Sequence, residues 1–125
     1  MNFNLNTQNP NLSFGSIHCV SGGKQFLENT LNKAERIELK KLIESQKNNP
    51  INITLAEHSN KRLCGWTVFE EKTNGQYHRK DYTQRLLFDS PINFIKRLCN
   101  KADALKEKFQ GDIKELGSKE FELHI

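Results

Sequence analysis

Apolar and polar positions along the chain follow two periods, one near two residues and one near 3.6, and they switch at recognisable breaks. Residues 12–20, Leu-Ser-Phe-Gly-Ser-Ile-His-Cys-Val, predict a first strand, and Ser21-Gly22-Gly23 breaks it. A short helical turn is expected over Lys24–Asn29, with Phe26 and Leu27 inward. Asn32 then stands three residues before Glu35, the spacing of a capping box. Ile37, Leu39, Leu42, Ile43 and Gln46 recur behind it at helical intervals, and charged residues fill most positions between them. Asn48-Asn49-Pro50 ends that helix, because the residue before proline avoids the helical basin.

The middle of the chain reads as strands. Ile51-Asn52-Ile53-Thr54-Leu55 alternates like a half-buried strand, and Ser59-Asn60-Lys61 is a turn. Leu63 to Phe69 is the next strand, rich in Trp66, Thr67, Val68 and Phe69. Asn74-Gly75 predicts a hairpin with a two-residue loop, pairing Glu71 with His78 and Glu70 with Arg79. The returning strand is expected from Tyr77 to about Phe88. Ser90 caps the last helix, Pro91 takes its first position, and Gly111 stops it. Its apolar stripe is Phe94, Ile95, Leu98, Ala102, Leu105 and Phe109.

These elements predict an α+β fold in the order β-α-β-β-β-α, a small antiparallel sheet with helices packed on one face. Residues 1–11 carry no charged side chain and read as a flexible arm. Residues 12–110 form the single domain, and 111–125 a tail with a possible short edge strand, where Phe121, Leu123 and Ile125 alternate with polar residues. With helices on one side only, the second sheet face is expected to be open.

Composition narrows the class. The 125 residues include about a quarter Leu, Ile, Val and Phe, enough for a folded domain. No apolar run approaches the ~18 residues of a span, and the start lacks a signal-peptide layout, so neither a membrane partner nor secretion is expected. Three widely spaced cysteines, Cys19, Cys64 and Cys99, are a poor disulfide framework and fit a reducing cytoplasm as buried thiols.

No constellation carries catalytic chemistry. Cys19 and His18 are neighbours on a strand and point to opposite faces. Cys64 and His78 lie about 20 Å apart along the expected ladder. The histidines and cysteines show no C-x-x-C or H-x-x-x-H spacing, so no metal is expected, and no cofactor. Val20-Ser21-Gly22-Gly23-Lys24 joins a strand to a helix without either phosphate-loop spacing, and reads as a connection.

Charge changes the picture once it is located. The net charge is +4, but residues 61–110 hold 11 basic and 6 acidic residues, net +5. Lys61 and Arg62 fall at a turn. Tyr77, Arg79, Lys80, Tyr82 and Arg85 fall on the returning strand, and Arg97, Lys101 and Lys108 share a helix face. Cations interleaved with aromatics suit RNA. In topology the order resembles the double-stranded-RNA-binding domain with an added first strand, and that of ribosome-hibernation factors; the resemblance covers roughly residues 12–110. The last helix begins Asp89-Ser90-Pro91-Ile92, without the glycine-and-lysine start that the RNA-binding domains use. A small cytosolic non-catalytic binding module is therefore expected, with a protein as partner by strand addition. The alternatives are RNA, through Lys61, Arg62, Tyr77, Arg79, Lys80, Arg85, Arg97, Lys101 and Lys108, and a homo-oligomeric scaffold in which Trp66, Phe69 and Phe88 face a second subunit.

Overall fold

Local signals at the helix ends organise the first half of the chain in the computed structural model, which describes residues 16–59 and 61–114. The arm at 1–11, residues 12–15 of the first expected strand, and the 121–125 alternation lie outside them. β1 (Ile17–Cys19) leads through Ser21 and Gly22, both at positive φ, into α1 (Gly23–Thr30), where Phe26 and Leu27 are buried as expected. Gly23 packs so closely that a Cβ there would sit 2.7 Å from the Leu55 carbonyl oxygen. The Gly-Gly pair thus serves a tight strand-to-helix connection. Asn32 caps α2 (Lys33–Gln46) with the reciprocal Asn32–Glu35 box. The inward stripe of α2 is Leu39, Leu42, Ile43 and Gln46. Ile37, expected in that stripe, is 44% exposed, because two residues before Leu39 is about 200° around the helix.

The sheet consists of β1, β2 (Asn52–His58), β3 (Arg62–Glu71) and β4 (Tyr77–Thr83), in that order, with β5 (Ile113–Lys114) also pairing β3. The sheet is mixed: β1 pairs β2 in parallel, across α1 and α2, while the other pairs are antiparallel. The β3–β4 register differs by two residues from the expected one. Phe69 faces His78 and Glu70 faces Tyr77, so the connection spans four residues, 72–75, rather than two. Gly75 holds φ 69 within it, and Thr73 is pinned to Asp112 by both its N–H and its hydroxyl. A slip of two leaves every side chain on its expected face.

Ser90 caps α3 (Pro91–Phe109), Pro91 takes its first turn, and Gln110 and Gly111 end it with left-handed backbone. All three helices lie on one face. Phe94, Ile95, Leu98 and Ala102 of α3 meet Ile53, Leu55, Leu63 and Phe69 of the sheet, with Leu39 of α2 and Phe26 and Leu27 of α1. Phe69 is 1% exposed within this layer, so it does not face a second subunit. The second sheet face is not open along β1 and β2: His18, Asn52, Thr54 and Val68 are buried there, and His18 Nε2 lies 3.1 Å from Asn52 Oδ1. β4 ends at Thr83, five residues short of the expected Phe88, and residues 84–90 form a connection of their own.

Candidate nucleic-acid interface

β4 is the outer strand of the sheet, and its alternation sorts the basic residues. His78, Lys80 and Tyr82 pair with Phe69, Thr67 and Gly65, which places them on the helix side. Tyr77, Arg79, Asp81 and Thr83 take the other side. Between the helix side of β4 and α3 runs a cleft of about 370 Å³, floored by Thr67, Phe69 and Leu105 and rimmed by Lys80, Lys101 and Lys108. Through Tyr82 and Lys101 it continues into a second hollow of about 240 Å³ beside Arg85 and Arg97.

One end of this groove is closed by rings. His78 stacks on Phe69 with centroids 4.5 Å apart and planes within 8°, and Phe109 tilts against both. His78 Nε2 meets Glu71 Oε2 at 2.6 Å, so the side chains expected to pair across the ladder do so diagonally. Lys108 Nζ lies 5.6 Å from the Phe109 ring and Lys80 Nζ 5.9 Å from the Tyr82 ring. Burial raises the Tyr82 phenol above its usual range, and a hydrogen bond with Thr67 partly opposes this. Tyr82 therefore stays a neutral aromatic surface beside the cations.

The cations differ in how far they are already satisfied. Arg97 donates to Asp89 Oδ2 at 2.9 Å. Lys80, Lys101 and Lys108 form no ion pair among the described residues.

Of the nine residues singled out from sequence, six line the groove: Arg79, Lys80, Arg85, Arg97, Lys101 and Lys108. Arg79 lines the cleft but sends its guanidinium across the sheet, the side that Tyr77 also takes: its guanidinium carbon sits 4.2 Å from the Trp66 ring centroid and the group pairs with Asp81. Arg62 donates to the Gln84 carbonyl at 3.0 Å, and Lys61 borders a separate hollow with Phe26 and Glu57. Tyr82, noted with the basic residues and kept out of the site, joins the two hollows. The signal for it was its place two residues from Lys80 on a strand.

The thiols sit elsewhere. Burial pushes Cys99 up to about 12, and Cys19 too, although part of the Cys19 residue surface stays exposed; Cys64 is raised less, also by burial. A raised pKa keeps a thiol protonated and so less nucleophilic. The described residues contain no group of three metal-ligating side chains. No helix among them is long and apolar enough to cross a membrane. No family model, curated protein or solved structure matches the chain.

Proposed function

We propose that the protein is a non-catalytic binding module that holds single-stranded RNA along the groove between β4 and α3. The carrying observation is the rim of Lys80, Lys101 and Lys108, without ion pairs among the described residues, around an apolar and aromatic floor. Phosphates meet the lysines while bases lie against Tyr82, the division of labour common to single-strand binders. From Arg97 to Lys108 the rim runs along about 16 Å of helix, at 1.5 Å per residue, which accommodates a few nucleotides. Residues with no catalytic geometry suffice for this task.

A protein partner is the second reading, favoured by the side of β4 that no strand among the described residues pairs. Glu71 and Gln76, and Leu63 and Gln84, are bonded at the two ends of the β3–β4 ladder, so Tyr77, Arg79, Asp81 and Thr83 turn their N–H and C=O groups outward. The run Arg79-Lys80-Asp81 is the kind of charged edge that discourages pairing, which ranks this reading second.

Fluorescence anisotropy with a labelled mixed-sequence RNA oligonucleotide at low salt tests the first reading. Wild type should bind, and the K101E/K108E variant should lose at least about tenfold in affinity. Both lysines are exposed, so thermal unfolding should be unchanged. No binding by wild type, or equal binding by the variant, sinks the RNA assignment.

A further inference from the structure

The connection from β4 to α3 holds three adjacent large apolar side chains out in solvent. Leu86, Leu87 and Phe88 are 75%, 71% and 101% exposed. Such a cluster is unfavourable for an ordinary surface and marks a contact site. The segment is built to present them. Gln84 is buried and bonded to Leu63 through both its N–H and its side-chain oxygen, and its Nε2 donates to the Asp89 carbonyl at 2.7 Å. Asp89 Oδ2 accepts from the Arg85 N–H at 2.8 Å and from Arg97 Nη2 at 2.9 Å. Those bonds clamp both ends of the loop, and Phe88 is held at φ 60, a left-handed conformation that a phenylalanine adopts only when its surroundings impose it. Clamping removes much of the ordering entropy that a contact would otherwise lose.

The base of the loop is cationic. Arg62, Arg85 and Arg97 all touch the clamp, Lys101 stands beside Arg85 in the adjoining hollow, and Asp89 is the acid among them. This charge decides between occupants. A second copy docking tip to tip would bring two cationic collars together, and the β4–α3 cleft of another copy is rimmed by lysines of the same sign. An anionic surface complements the collar. The tip is convex, formed by three consecutive residues at a bend, and a fluid bilayer accepts such a shape without a matching pocket.

We propose that Leu86, Leu87 and Phe88 insert into the interface of an anionic phospholipid bilayer while Arg85 and its neighbours meet lipid phosphates. A surface contact of this type needs no membrane span, so it is compatible with the absence of one among the described residues. Arg85, Arg97 and Lys101 border both this collar and the groove, but the apolar tip lies outside the lysine rim, so substitutions at the tip test the membrane contact separately.

Co-sedimentation with mixed phosphatidylcholine–phosphatidylserine vesicles, and with phosphatidylcholine alone, tests it. Wild type should bind the mixed vesicles and bind the neutral ones far more weakly. The L86S/L87S/F88S variant, with charge unchanged, should lose at least about tenfold in vesicle affinity and keep its RNA affinity. Leu87→Trp should shift its emission to the blue on the same vesicles, a readout that holds even if the triple variant folds poorly. Equal binding by the triple variant means electrostatic adsorption alone and overturns the proposal. So does absence of binding by wild type. A change of oligomeric state in the triple variant, without a vesicle effect, assigns the tip to a protein contact and overturns it as well.

Discussion

Gly65 sits at the middle of β3, where a side chain would meet backbone and core at once. A Cβ there would lie 2.7 Å from the Thr54 carbonyl oxygen and 2.9 Å from Leu98 Cδ1. The missing side chain lets α3 approach the sheet closely enough for Leu98 to be 1% exposed. Gly65→Ala should therefore cost about 1–3 kcal/mol through overpacking, since a strand carbonyl cannot step aside. Chemical denaturation checks this, and a variant as stable as wild type would mean the strand relaxes freely. Nothing in the sequence of Leu63–Phe69 marks this glycine, because Leu98, which needs the space, lies more than thirty residues away. Gly23 was legible as part of a strand-to-helix break, but its close approach to the Leu55 backbone was not. Asn32 was legible because its partner Glu35 is three residues away and both bonds of the box are local.

At the scale of elements, helix ends were read well and strand ends less well, for one physical reason. Caps are settled by neighbours in sequence, whereas a strand ends where its partner ends. The strand expected to reach Phe88 runs past the end of the ladder, which no local signal in the sequence marks. β4 stops at Thr83 because β3 begins at Arg62, and the buried Gln84 turns its side chain back to the Leu63 N–H. That turn converts what would be an exposed strand end into the clamped loop carrying Leu86, Leu87 and Phe88. The clamp and the start of α3 share one stretch of chain: Gln84 and Arg85 hold Asp89, and Ser90 accepts from the Asn93 N–H at 3.2 Å. Ser90→Ala removes that acceptor and should lower stability by about 1 kcal/mol, read as a shift in the denaturation midpoint with the slope unchanged. No shift would mean Pro91 alone sets the helix start. The hairpin follows the same logic. Asn74-Gly75 located the turn correctly, but Thr73 bonds Asp112 from across the fold, and a four-residue connection replaces the two-residue one.

For the molecule as a whole, the excess of +5 within residues 61–110 becomes a groove only through topology. α3 packs against β3, and β4 is an outer strand among the described residues, so cations about twenty residues apart face each other across a cleft. Helical spacing alone could align Arg97, Lys101 and Lys108; it could not tell that Lys80 joins them while Arg79 turns away to Trp66. Six of the nine residues line the groove, Arg79 with its guanidinium turned to the far face, and the other three serve local structure or other faces. This arrangement fixes what an ionic-strength series should show. Three to five cations on single-stranded RNA release counterions with a slope of about −0.7 per contact, so log affinity against log salt should fall with a slope of roughly −2 to −3.5. Between about 50 and 200 mM salt that is a loss of roughly 20- to 100-fold. Lys101→Ala should flatten the slope by about 0.7, because it deletes one phosphate contact midway along the rim. Arg79→Ala should leave the slope unchanged, since its guanidinium is committed to Trp66 and Asp81 on the far face. A flat slope for wild type, or equal effects of the two substitutions, would place the contact somewhere other than the β4–α3 groove.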